Sequence, residues 1–206
     1  MIMSYTIIED ASPYYVRFTF DGIEQVVNYI NNLGLPEQVT SNPGYSQYQF
    51  DVVTGDSIIS MLKLPDHPHA KFKPDKVKIV LTPPGGGCGI HKDGQASKTS
   101  LNLMLMINDT NCYTDWYNED DFADMPLLGD VTYSRSIYEN IIDMNTRFNP
   151  TRTINFKANE LVLLNTDIWH SWSNVDSKCV RKILSLKHIW QSGLPFDELK
   201  KIIFQS

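Results

Sequence analysis

The sequence predicts an all-β core with flanking helices, and three observations carry that reading. Strand-length runs of alternating or continuous apolar residues recur at 14–20, 45–53, 77–82, 100–107, 153–157, 161–164 and 180–186. Turn-forming clusters separate them, the plainest being Pro83-Pro84-Gly85-Gly86-Gly87. Clear helical spacing is confined to residues 22–32 and 195–204, enough to cover a sheet but not to build a helical core. A chain of 206 residues, 42% hydrophobic and 20% charged, has globular composition and the size of one domain. We read it as a single domain over 1–206, with N-terminal strands and a covering helix (1–75), a β core (76–190) and a C-terminal helix (191–206).

The chain starts with alternating Tyr5 and Ile7. It continues into Tyr14-Tyr15-Val16-Arg17-Phe18-Thr19-Phe20, whose β-branched and aromatic residues suit a strand. Asp21 and Glu24 have capping-box spacing, and Ile23, Val26, Val27 and Ile30 share a helical face that Gly34 and Pro36 terminate, so a covering helix is expected over 22–32. Tyr48, Phe50 and Val52 alternate as a strand within 45–53. Asp56-Ser57 then opens an apolar stretch to Leu64 that suits one or two helical turns. The prolines at 65 and 68 make a loop whose His67 and His69, with no third ligand nearby, read as exposed loop residues.

Val77, Ile79 and Leu81 alternate as a strand. Residues 100–107 are apolar on both faces except at Asn102, which needs a partner inside, either a neighbouring loop or a ligand in a pocket. A strand over 113–117 leads to the acidic stretch 118–125, read as a solvated loop that would favour a cationic partner if it borders a site. Apolar positions 137, 141 and 144 suggest a weak helix over 136–144. Strands over 153–157 and 161–164 join through Ala158-Asn159-Glu160, and Leu199, Ile202 and Ile203 mark the terminal helix.

Bulk charge narrows the partners. A net charge of −6 gives no general attraction to phosphate backbones or anionic lipid, so a nucleic-acid partner is not expected. No stretch approaches the roughly 18 apolar residues of a membrane span, and residues 1–5 lack the pattern of a signal peptide, so the expected location is cytoplasmic. Cys88, Cys112 and Cys179 are odd in number and widely spaced, which suits reduced thiols rather than a disulfide framework.

Three residues suggest a metal site. In Ile90-His91-Lys92-Asp93-Gly94 an extended backbone would turn His91 and Asp93 to one side, and His170 lies in a later strand-like run between Trp169 and Trp172. Two imidazoles and a carboxylate form the facial triad that holds Fe(II) and leaves coordination positions open. Each has an innocent alternative, a turn-side hydrogen-bonding pair for His91 and Asp93 and an interior residue for His170. Zinc is the competing metal, with Cys88 three residues before His91, although no close Cys/His pair completes a structural zinc site. Arg181 stands on the apolar segment after His170, where a buried guanidinium wants an anion; Asp176 and Glu160 are the protein carboxylates that could serve.

The order H-x-D, distant His, then Arg on the following strand resembles the Fe(II)/2-oxoglutarate-dependent dioxygenases over about residues 77–190. The resemblance implies a double-stranded β-helix, or cupin-like jelly roll, with Fe(II) on His91, Asp93 and His170. It implies 2-oxoglutarate chelating the metal and pairing with Arg181, and O2 as the oxidant. Where the family often has Ser or Thr two residues after the Arg, this chain has Ile183; the nearest hydroxyl is Ser185, on the same strand face by parity. Ser185 or another hydroxyl is therefore the candidate for a further hydrogen bond to the carboxylate that pairs with Arg181, and Asn102 is a candidate for cosubstrate contact inside the pocket. Family members that halogenate lack the carboxylate, so Asp93 implies a hydroxylase or related oxidase, acting on a peptide side chain or small metabolite. The rival reading is a non-redox cupin-type metal-binding protein, an isomerase or sensor.

Overall fold

The structure is a computed structural model that describes residues 5–65, 67–68, 70–93, 97–106, 112–122, 148–174, 178–188 and 194–205. Among the described residues, two antiparallel sheets and three α-helices form three layers. The larger sheet has eight strands. From one edge to the other they are β1 (Thr6–Ala11), β2 (Tyr15–Thr19), β10 (Leu161–Asn165), β7 (Thr99–Met106), β12 (Arg181–His188), β5 (Phe72–Thr82), β4 (Ser46–Gln49) and β3 (Glu37–Ser41). The smaller sheet has four, in the order β6 (Gly87–His91), β11 (His170–Ser173), β8 (Tyr113–Trp116) and β9 (Arg152–Asn155). This is the all-β jelly-roll architecture with flanking helices that the sequence predicts, open rather than closed into a barrel.

Period-two sorting explains the layers. On β7, Leu101, Leu103 and Leu105 face the helices, while Ser100, Asn102 and Met104 face the other sheet; on β12, Leu184 and Leu186 oppose Arg181, Ile183 and Ser185 in the same way. The outer set joins Val16, Phe18, Val77, Ile79, Leu161 and Leu163 beneath the helices. These are α1 (Ile23–Asn32), α2 (Val52–Leu62) and α3 (Phe196–Gln205). A second, smaller core of Tyr15, Met104, Trp116, Ile154, Phe156, Val162 and Leu164 fills part of the space between the sheets. The remainder of that space is a pocket.

Local expectations differ from the structure at several places. Asp21 does not cap α1. Gly22 takes that position in a left-handed conformation, φ 97°, with no side-chain cap bond. The strand expected over 45–53 stops at Gln49, because Asp51 accepts from the Val53 and Thr54 amides at 3.0 Å and starts α2 there, ahead of the expected Asp56. β3 carries no alternating apolar pattern, all five residues being exposed, so nothing in its sequence marked it as a strand. The acidic stretch contains a 3₁₀ turn, Glu119–Phe122, whose Phe122 is buried. The helix expected over 136–144, together with His69, Ile107 and Asp176, lies outside the described residues.

Candidate metal centre and its pocket

His91 ends β6 and His170 begins β11, and the two are direct cross-strand partners. Their rings therefore stand side by side, centroids 4.4 Å apart, facing the interior. Each Nδ1 lies against the carbonyl two residues earlier in its own chain, His91 at 2.7 Å from Gly89 O and His170 at 2.8 Å from Ile168 O. A carbonyl only accepts, so each Nδ1 carries the proton and each Nε2 presents a lone pair. Asp93 lies beyond the end of β6 instead of on it, held by its amide donating to Thr166 O at 3.1 Å. Its Oδ1 is nevertheless 3.4 Å from His91 Nε2, and one ligand atom from each of the three residues lies within 4.8 Å of the others. Burial alone would lower the His91 pKa; the neighbouring Cys88 and Asp93 side chains, through hydrogen bonding and electrostatics, outweigh it and raise its proton affinity well above the ordinary value. A cation set between these groups would take the place of that proton.

Cys88 does not complete a zinc site. Its Sγ is 3.7 Å from His91 Nδ1, the nitrogen turned away from the other two ligands, and the cluster among the described residues contains no cysteine. Lys92, also beyond the end of β6, takes no part in the cluster and reaches Glu119 and the Trp169 ring. His67 takes no part in the cluster.

The pocket next to this cluster opens to solvent, and the space within it and its open mouth is about 670 Å³. Arg181, Ser185 and Asn102 all line it. Arg181 is 3% exposed; its guanidinium donates to Tyr113 O at 3.4 Å and Thr114 Oγ1 at 3.2 Å, while its Nε has no partner. Among the described residues no carboxylate pairs with it. Glu160, one of the two carboxylates considered from the sequence, is taken by Arg17 at 2.7 Å, and Asp176 lies outside the described residues. Burial pushes the Arg181 pKa down to about 10, which still leaves the group cationic at neutral pH. A buried cation that meets only neutral acceptors among the described residues is costly by several kcal/mol, a cost that an anion entering the pocket at this pole would offset.

Ser185 and Asn102 are cross-strand partners, and Ser100 Oγ donates to Asn102 Oδ1 at 3.0 Å, which leaves the amide nitrogen as the group Asn102 can offer. They stand two pleat repeats, about 13 Å of strand, from Arg181. Val80 and Ile183, cross-strand partners on β5 and β12, also line the pocket and interpose an apolar band.

Sequence reasoning missed Thr114, Trp172, Tyr45 and Asn174. Thr114 sits on the inward parity of β8 with Trp116, a signal readable only once the facing strand is known. The glycine triplet, read from the sequence as a turn, lets two turns meet closely. A Cβ on Gly44 would stand 2.1 Å from Gly87 O, and one on Gly86 would stand 2.4 Å from Gly44 O. That contact sets Tyr45 against Trp172, ring centroids 5.4 Å apart, at the pocket wall beside His91.

No protein-family model matches the chain, and no curated protein matches it in sequence. Solved structures of similar fold are found. HygX from Streptomyces hygroscopicus, with nickel and 2-oxoglutarate bound, is 11% identical with a TM-score of 0.59, over 86% of this chain and 83% of its own. A 2OG-Fe(II) oxygenase family oxidoreductase from Burkholderia pseudomallei is 11% identical with a TM-score of 0.59, over 90% and 88%. The epimerase SnoN, in complex with Fe3+, alpha ketoglutarate and nogalamycin RO, is 14% identical with a TM-score of 0.55, over 85% and 78%. At such identities the likeness is one of fold.

Proposed function

We propose that this chain is an Fe(II)- and 2-oxoglutarate-dependent dioxygenase, a hydroxylase of a small metabolite or peptide side chain. The observation that carries the reading is a buried guanidinium that meets no carboxylate among the described residues, in the same pocket as a His-Asp-His cluster. The donor set fits the metal: two neutral Nε2 atoms and one carboxylate suit Fe(II) and leave positions open for other ligands. When bound, Fe(II) with 2-oxoglutarate and O2 supplies the oxidation, R–H being converted to R–OH as 2-oxoglutarate gives succinate and CO2.

The residues divide the remaining work. His91, Asp93 and His170 hold the metal, and the carbonyls of Gly89 and Ile168 keep both imidazoles in the ligating tautomer. Arg181 takes the far carboxylate of the diacid through its planar fork, with the Thr114 hydroxyl beside it. The apolar band of Val80 and Ile183 suits the methylene carbons between the two polar ends. Ser185, four residues along β12 from Arg181, and Asn102, its partner on β7, are assigned to the metal-chelating end of the cosubstrate and not to the carboxylate that Arg181 binds. Trp172 and Tyr45 wall the pocket beside His91 and keep bulk water from that side. A small-molecule substrate gains support from the similar folds, HygX having also been solved with hygromycin B and SnoN with nogalamycin RO.

The test is anaerobic addition of 2-oxoglutarate to the Fe(II)-loaded protein. A metal-to-ligand absorption band, followed in air by succinate formation, is the expected result. Metal binding with no response to 2-oxoglutarate would replace this reading with the non-redox cupin-type isomerase or sensor, which needs the cluster but not the cationic pole.

A further inference from the structure

We propose that Asn174, a residue outside the metal cluster and the pocket lining, is the positioning residue that seats Arg181 for an anionic ligand; this rests on the cosubstrate reading above. Asn174 is fully buried, 0% exposed, at the end of β11. Its Nδ2 donates to Thr82 O and to Cys179 O, each at 2.9 Å, and its Oδ1 accepts the Cys112 thiol. Its backbone amide donates to Gly86 O at 2.8 Å, and its carbonyl accepts from Gly85 N at 3.0 Å.

Each of the three side-chain links ends beside something that places the guanidinium. Thr82 is the cross-strand partner of Arg181 on β5, and Cys179 lies two residues before Arg181. Cys112 directly precedes Tyr113 and Thr114, whose oxygens accept from the guanidinium. One amide therefore ties the strand that bears Arg181, the strand beside it and the strand that supplies its acceptors. A fork that must meet a carboxylate with two parallel hydrogen bonds tolerates little displacement, so this clamp controls affinity at the anionic pole. The metal cluster hangs from β6 and the start of β11, and its orienting carbonyls, Gly89 within β6 and Ile168 just before β11, take no part in the three side-chain links of Asn174. Loss of the clamp should therefore act on one end of the cosubstrate and spare the other.

The test uses the Mn(II)-loaded full chain and two ligands, 2-oxoglutarate and pyruvate, a 2-oxo acid without the second carboxylate. In Asn174→Ala, calorimetry should show 2-oxoglutarate affinity reduced by about tenfold or more, with Mn(II) and pyruvate affinities within about twofold of wild type. Cys112→Ala, which cuts only the link toward Tyr113 and Thr114, should show a smaller loss of the same kind, and Cys112→Ser, which keeps a donor for Asn174, should restore it; this pair decides the matter if Asn174→Ala does not fold. Equal loss of Mn(II), pyruvate and 2-oxoglutarate binding, or a lower melting temperature with 2-oxoglutarate affinity unchanged, overturns the positioning role. A wild-type protein that binds 2-oxoglutarate no better than pyruvate overturns the cosubstrate reading itself, and this inference with it.

Discussion

His91 and His170 are each oriented by the backbone just before them, the imidazole donating to the carbonyl two residues earlier. Replacing either, or Asp93, with alanine is expected to abolish Mn(II) or Fe(II) binding while far-UV circular dichroism stays unchanged, since both cores lie on other residues; a variant that keeps full affinity leaves the ligand set. Lys92→Ala should bind metal normally because its side chain leaves the pocket. Protons compete with metal for Nε2, and the His91 proton affinity is raised, so metal affinity should decline as pH is lowered through neutrality. Affinity independent of pH between acid and neutral solution would argue against histidine ligation. Arg181→Lys keeps the charge and loses the fork, so 2-oxoglutarate binding should weaken by about 1–3 kcal/mol with metal affinity retained. Loss of thermal stability with unchanged 2-oxoglutarate affinity would make Arg181 a structural residue.

At the level of elements, α2 lies so close on β5 that a Cβ on Gly55 would stand 2.1 Å from Pro74 O. Alanine at a helical glycine ordinarily stabilises by about 0.5–1 kcal/mol; here Gly55→Ala should destabilise by about 1–3 kcal/mol in denaturant melts, as overpacking does. β1, β2 and β9, and the turn before β10, are joined by an ion-pair network in which Glu9 meets Arg17 and Arg152, and Arg17 also meets Glu160. Partial burial acts to raise the Glu9 pKa, but hydrogen bonds from Tyr15 and Arg17 and the two arginine charges lower it overall. A lowered folded pKa means that its stabilisation is present above the ordinary carboxylate range and is lost as pH falls through the folded value. Glu9→Gln should remove that part of the acid sensitivity, and an unchanged pH–stability profile would show the network to be without net effect.

For the whole molecule, the separation of cores from site has a consequence for folding. The larger core, between the eight-stranded sheet and the helices, contains none of the metal ligands, so the apo protein should fold and a chelator should leave its circular dichroism intact. Metal would then stabilise by mass action alone, about 2.7 kcal/mol at a hundredfold excess over Kd, visible as a rise in melting temperature. A chain that unfolds on chelation would instead couple folding to the metal.

Much of this was legible in the residues themselves. Period-two and helical patterns report which face of an element is buried, so β2, β5, β7, β10, α1 and α3 were readable, and the strand bearing Arg181 was marked by its apolar residues. Ligand chemistry is a property of residue type and order, so His91, Asp93 and His170 could be named as a set. What tertiary structure decided is what depends on residues distant in sequence. The exposed strand β3 is held by pairing with β4 and not by an apolar pattern, and α2 starts where Asp51 satisfies free amides, ahead of the expected Asp56. Asp93 reaches the cluster through a bond to Thr166 and not by strand parity. That Glu160 serves Arg17, that no described carboxylate meets Arg181, and that Asn174 clamps three strands around it are facts about partners brought together by folding. Local pattern fixes which way a side chain faces, whereas the partner it meets is set by the packing of the sheets.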